Sequence, residues 1–134
     1  MNDEVERTMI DKGMVMDIVK SEDWHEVAKY LRELRRDLGR GFERLNECLS
    51  CPANAVLCAE VERLVESYER ALLATLMLKC FLDEALRVVG DEKIRKRLTE
   101  VLEDTNDLVV FLNGKHGLVH QLMDKCKQFW GDGP

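Results

Sequence analysis

The stretch from Leu57 to Val89, LCAEVERLVESYERALLATLMLKCFLDEALRVV, carries apolar side chains at steps of three and four residues. This spacing places them on one side of an α-helix, which completes a turn about every 3.6 residues. The phase holds until Gly90 and Asp91, where we expect a glycine C-cap followed by an aspartate N-cap. The pattern predicts one helix of about 35 residues, roughly 50 Å long, at the centre of the fold.

The middle of this helix, residues 71–78, is apolar on every face. A helix with one solvated side does not sustain such a pattern. Two arrangements fit: three neighbouring helices surround the segment, or a second copy of the protein covers its remaining face. The interface residues that we predict for the second arrangement are Met9, Met14 and Met16 of a first helix, and Leu73, Leu76 and Met77 of the long helix.

Apolar periodicity predicts two helices before the long one. The first runs from about Asp3 to Lys20. The second follows an N-cap at Ser21 and extends to about Leu49, with two internal glycines that mark a bend or a close helix contact rather than a turn. Residues 50–54 form the clearest break, because Pro52 disfavours helix at the residue before it.

Two further segments follow the long helix. One ends at Asn113 and Gly114, and the other runs toward Trp130 and a frayed tail at residues 131–134. They form either two helices or one helix kinked near residues 113–117. Because short connections between long helices require antiparallel neighbours, we predict an all-α, up-down antiparallel bundle of four to five helices.

Composition agrees with one helical domain over residues 1–134. The chain has 34% charged and 6% aromatic residues and only 2 prolines, a profile that disfavours sandwiches and barrels. No segment has the apolar length of a membrane span, and the first residues are acidic where a signal peptide is basic. We therefore expect a cytoplasmic protein that does not bind membranes. The net charge of −6 disfavours nucleic acid as a partner.

Five cysteines are an odd number, which argues against a complete secreted disulfide framework. Straight antiparallel helices bring four of them to one end of the bundle and leave Cys80 about 30 Å away along the axis. The four cysteines of this candidate zinc or disulfide site are Cys48, Cys51, Cys58 and Cys126. The alternative is that they are buried structural thiols, since free cysteine behaves as a small hydrophobic residue. We expect no cofactor unless this cysteine site binds zinc.

His116 and His120 stand one turn apart on one helix face. A Cys2His2 zinc site with Cys48 and Cys51 is conceivable, but the straight bundle places the histidines about 10 Å too far up the axis.

Arginines recur every four residues along the second helix. The candidate anion-binding residues are Arg32, Arg36, Arg40 and Arg44. Such a stripe could hold phosphates, as in a small RNA- or DNA-binding subunit. Acidic residues interleave with it at spacings of three and four, however, which is typical of ion pairs on a solvated face.

Catalytic motifs are scarce. Glu66-x-x-Glu69, with either Glu100-x-x-Glu103 or Asp104-x-x-Asp107, is similar to the paired acidic motifs with which all-α nucleotide pyrophosphatases hold Mg²⁺, and such an enzyme is one alternative. No P-loop, dinucleotide fingerprint or nucleophile elbow occurs. The leading hypothesis is a non-enzymatic helical interaction module that self-associates or docks on a larger cytosolic complex.

Overall fold

The computed structural model describes residues 13–131, and the elements in this range are helices without any strand. The all-α bundle predicted from the sequence is confirmed. The described part of the first helix covers residues 13–21 (α1), and the other helices are α2 (Trp24–Glu47), α3 (Ala55–Val88), α4 (Glu92–Gly114) and α5 (His116–Gly131).

The N-cap of α2 is Asp23, so the predicted cap at Ser21 is wrong. The Asp23 carboxylate accepts hydrogen bonds from the backbone N–H groups of His25 and Glu26 at 3.1 and 3.3 Å. Ser21 instead belongs to α1, where its hydroxyl donates to the Ile18 carbonyl. A carboxylate is the better acceptor for the free N–H groups of a first turn, because it also favours the positive end of the helix dipole.

The two glycines of α2 do not interrupt it, as predicted. A Cβ atom at Gly41 would lie 3.1 Å from Leu64 Cδ1, and one at Gly39 would lie 3.6 Å from Phe111 Cζ. Gly41 therefore marks a close approach of α2 to α3, whereas Gly39 leaves room for a methyl group.

The end of α3 differs from the prediction. The backbone leaves the helix at Val89, and Gly90 does not have a positive φ, so the expected glycine C-cap is wrong. Arg95 of α4 performs the capping instead: its Nη1 donates to the carbonyls of Leu86 and, at 2.8 Å, Val89. Asp91 is the N-cap of α4, as predicted.

Cross-helix contacts give the topology of the long helices. Gly41 and Arg44 of α2 lie beside Leu64 and Glu60 of α3, so these helices are antiparallel. Because Arg32 pairs with Asp104, and the Gly39 backbone lies against Phe111 seven residues later, α2 and α4 are parallel. The most extensive packing of the bundle joins α4 to both α2 and α3. The long helix α3 packs against α2, α4 and α5, and α4 packs against α2, α3 and α5, so these two helices share the centre of the bundle.

Lys115 is the one non-helical residue between α4 and α5. Its backbone is in the right-handed helical region and its carbonyl accepts the N–H of Val119 at 2.9 Å, so α5 continues from α4 across a single residue. With 23 and 16 residues, α4 and α5 together span the 34-residue α3. The predicted tail after Gly131 lies outside the described residues.

Aromatic contacts organise the core. Phe42 is fully buried and meets Tyr68 and Phe111 edge to face. Trp24 fixes α1, because its indole N–H donates to the Val19 carbonyl at 2.9 Å while its ring stacks on Phe81. Residues 13–131 contain no helix that is both long enough and apolar enough to cross a membrane.

Candidate interaction surface

An exposed apolar patch lies in the middle of α3. Leu73 and Met77 are 63% and 65% exposed, Leu76 is 41% exposed, and Cys80 is exposed one turn further on. We call these four residues the α3 patch. On the other side of the same helix turns, Ala71 and Thr75 are buried, so the described helices cover only one face of this segment. Among residues 13–131, neighbouring helices do not cover this segment on all sides, which is the first of the two predicted arrangements.

The described part of α1 adds to the exposed apolar surface. Met14 is 57% exposed and Ile18, one turn later, is also exposed, whereas Val15 and Val19 are buried on the opposite side. Met16 packs partly against the core, and Met9 lies outside the described residues.

A groove of about 360 Å³ separates α2 from α3 near the α3 patch. It exists because α2 and α3 each pack more extensively on α4 than on each other. Tyr30 and Leu34 line it from α2, and Arg70, Ala74 and Leu78 line it from α3. Sequence reasoning missed this groove, and the signal available was Tyr30, an aromatic residue off the apolar stripe of α2.

Charged residues flank the α3 patch along the helix axis. Glu66 and Glu69 precede it and are exposed, and Arg87 follows it. Arg87 contacts only Glu84 of its own helix, at 3.4 Å. Arg70 is also exposed on the side of the two glutamates, so each flank of the patch carries at least one carboxylate and one guanidinium.

Four cysteines gather where α2 ends, α3 begins and α5 ends. Cys58 and Cys126 are joined by a disulfide with a Cα–Cα distance of 5.6 Å. Cys48 and Cys51 lie in the turn after α2, where the Cys51 N–H donates to the Cys48 carbonyl at 3.0 Å. Lys125 of α5 donates to the Leu49 carbonyl of the same turn at 2.9 Å, which fastens the turn to α5.

The Cys48 thiol is not poised for nucleophilic attack. Burial raises the pKa of the Cys48 thiol, and hydrogen bonding to Cys51, the charge of Cys51 and the carboxylates of Glu60 and Glu47 raise it further. A raised pKa lowers the fraction of thiolate, the form that attacks disulfides and binds metals.

The zinc interpretation stays a prediction. Because Cys58 and Cys126 are bonded to each other, they present no thiolate to a metal in this structure. Among residues 13–131, no group of three or more His, Cys, Asp and Glu side chains is arranged to hold a metal ion.

The first and last arginines of the α2 stripe form ion pairs with carboxylates of other helices. Arg32 pairs with Asp104 at 2.8 Å and Arg44 pairs with Glu60 at 3.1 Å, both across helices. Between them, Arg36 and Arg40 border a shallow depression next to Phe111. The guanidinium carbon of Arg35, which is adjacent to the stripe in the sequence, lies over that ring, 5.1 Å from its centroid. Anion binding by the four predicted arginines stays a prediction.

The acidic pairs that suggest a pyrophosphatase do not form a carboxylate cluster among the described residues. Glu66 and Glu69 are exposed beside the α3 patch, and Asp104 is occupied by Arg32. This alternative also stays untested.

Comparison of the chain with protein-family models, with curated proteins and with solved structures finds no match.

Proposed function

We propose that this protein is a non-enzymatic assembly module that pairs with a second copy of itself through the α3 patch. The observation that carries the proposal is the exposure of Leu73, Leu76 and Met77 side by side in the middle of the longest described helix. Adjacent apolar side chains at helical spacing form a surface that gains free energy when a partner removes them from water.

The charges beside the patch favour an antiparallel pair. Glu69 and Arg87 are each nine residues from Leu78, so a two-fold axis near Leu78 sets Glu69 of one copy opposite Arg87 of the other. The contact occurs twice by symmetry. A parallel pair would instead oppose Glu66 and Glu69 to the same residues of the second copy, and like charges in contact are unfavourable.

The corner between α1 and α2 extends this surface. Trp24 stacks on Phe81, one turn beyond Met77, which places the corner next to the α3 patch. Met14 and Ile18 are then available at the rim of the contact. Methionine side chains suit such a position, because their flexibility lets them adapt to an opposing surface.

We also propose that the protein resides in the cytosol. Cys58 and Cys126 are 1% and 0% exposed, and reduction requires that a thiolate reach one of the sulfur atoms. Burial therefore protects this bond from cytosolic glutathione. Fractionation of the native cell tests the setting: the protein should be recovered with cytosolic markers, and recovery from an oxidising compartment would contradict it.

Light scattering coupled to size-exclusion chromatography tests the pairing. At about 100 µM protein, a dimer with a Kd of about 1 µM is mostly formed. We expect twice the chain mass of 15.5 kDa. Each buried Leu or Met side chain contributes about 1.5–3 kcal/mol, so Leu73→Glu with Met77→Glu should weaken pairing about a hundredfold or more.

The matched control is Val110→Glu, which changes a 70% exposed apolar residue on α4, away from the patch. It should leave the dimer mass unchanged. A wild-type protein that runs at the chain mass under these conditions contradicts the proposal, as does a dimer that persists in the double variant. The interpretation of docking on a larger complex would then take its place.

A further inference from the structure

The two histidines at the start of α5 face each other. His116 is the first residue of the helix and His120 follows one turn later, and both are exposed. Their Nε2 atoms lie 3.1 Å apart, and the rings are nearly perpendicular with centroids 4.4 Å apart. The pair thus presents two imidazole nitrogens at one point on the surface.

This separation suits two ligands of one metal ion. Imidazole nitrogens bind zinc at about 2.1 Å, so two of them lie about 3.0 Å apart at a right angle and about 3.4 Å apart at the tetrahedral angle. The observed 3.1 Å falls between these values. A hydrogen bond between the rings needs one Nε2 to carry a proton, and a metal ion would take the place of that proton.

The neighbouring cation does not occupy this position. The Lys115 ammonium lies over the rings of Phe111 and Phe42, at 5.3 and 6.0 Å from their centroids, on the α2 side. Because no group of three or more ligand side chains exists among residues 13–131, the protein supplies two ligands and solvent completes the coordination.

We propose that His116 and His120 form a bidentate site for a late first-row divalent metal ion of the Ni²⁺, Cu²⁺ and Zn²⁺ class. Imidazole is a favoured ligand of these ions, whereas Mg²⁺ and Ca²⁺ take oxygen ligands. Chelation joins residues one turn apart, so the bound metal also holds the first turn of α5 in helical geometry. The site is independent of pairing through the α3 patch.

Calorimetric titration of the untagged protein with Ni²⁺ tests the site, since Ni²⁺ does not oxidise the exposed thiols as Cu²⁺ would. We expect one Ni²⁺ per chain. His116→Gln and His120→Gln should each weaken binding at least tenfold, because either change leaves one imidazole. The melting temperature should rise with Ni²⁺ in the wild type and stay constant in both variants.

Two controls separate this site from other ligands. His25→Gln removes an exposed histidine of α2, and Cys48→Ser with Cys51→Ser removes the free thiol pair. Both should bind Ni²⁺ as the wild type does. Absence of binding in the wild type, undiminished binding in both single variants of α5, or binding that disappears with the thiols would each overturn the proposal.

Discussion

Cys58 and Cys126 join the first turns of α3 to the last turns of α5, and 68 residues of chain separate them. Both side chains are buried in the core. The bond therefore closes a loop that contains the rest of α3, all of α4 and most of α5. Among the described residues this bond is the one covalent cross-link between helices. It fixes α5 to α3 at the end of the bundle where the thiol pair lies.

Removal of this bond should lower stability substantially. In the chain-entropy account, a disulfide that closes a loop of this length contributes about 4 kcal/mol, and native-state effects alter that figure. Cys58→Ala with Cys126→Ala should lower the melting temperature strongly in a calorimetric scan. Cys48→Ser serves as the control and should leave it nearly unchanged. Equal melting temperatures for the wild type and the double variant would show that the bond does not contribute.

The two glycines of α2 should respond differently to alanine. Alanine favours a helix over glycine by about 1 kcal/mol. At Gly39 the new Cβ meets Phe111 at an ordinary distance of 3.6 Å, so Gly39→Ala should raise the free energy of unfolding by most of that amount. At Gly41 the Cβ meets Leu64 at 3.1 Å, and the neighbour must move. Urea unfolding should show a smaller gain, or a loss, for Gly41→Ala, and an equal gain at both positions would contradict the assigned close approach.

Cys80 reports the geometry of the proposed pair. With the two-fold axis near Leu78, the two Cys80 residues are offset by about 6 Å along the helices, which pack about 8–10 Å apart. A short bismaleimide should therefore link two copies in a Cys48→Ser, Cys51→Ser background. Leu73→Glu with Met77→Glu should abolish the linked band on a denaturing gel. A linked yield that is the same in both proteins would exclude this axis.

Alkylation of Cys48 should be slow at neutral pH. Because its pKa is raised by burial and by neighbouring carboxylates, less thiolate exists at pH 7 than in an ordinary cysteine, and the rate should increase at a higher pH than usual. Cys51→Ser should shift this profile to lower pH, since it removes a hydrogen-bond partner and a charge. Mass spectrometry of iodoacetamide-treated protein gives the rates, and a Cys48 profile like that of a free thiol would contradict the prediction.

The sequence predicted where the helices lie along the chain better than how they pack against one another. Periodicity located the break around Pro52 and the uninterrupted course through Gly39 and Gly41, because both depend on local spacing. It did not reveal which face of α3 stays exposed, since the middle of the α3 sequence is apolar on every face whether or not neighbours cover that face. Exposure of Leu73 and Met77 depends on which side of α3 the neighbouring helices pack against, which no local pattern encodes. The contact of the two histidine rings likewise needed side-chain positions.

Because Arg95 caps the end of α3, the turn does not require glycine at residue 90. The turn from α3 to α4 needs no left-handed glycine, because a side chain from the following helix reaches back to the carbonyls of Leu86 and Val89. A Cβ atom at Gly90 would meet nothing within 4 Å. The residue that stabilises this turn is therefore Arg95, which follows the turn in the sequence. Gly90, which resembles a helix C-cap in the sequence, can be replaced by other amino acids.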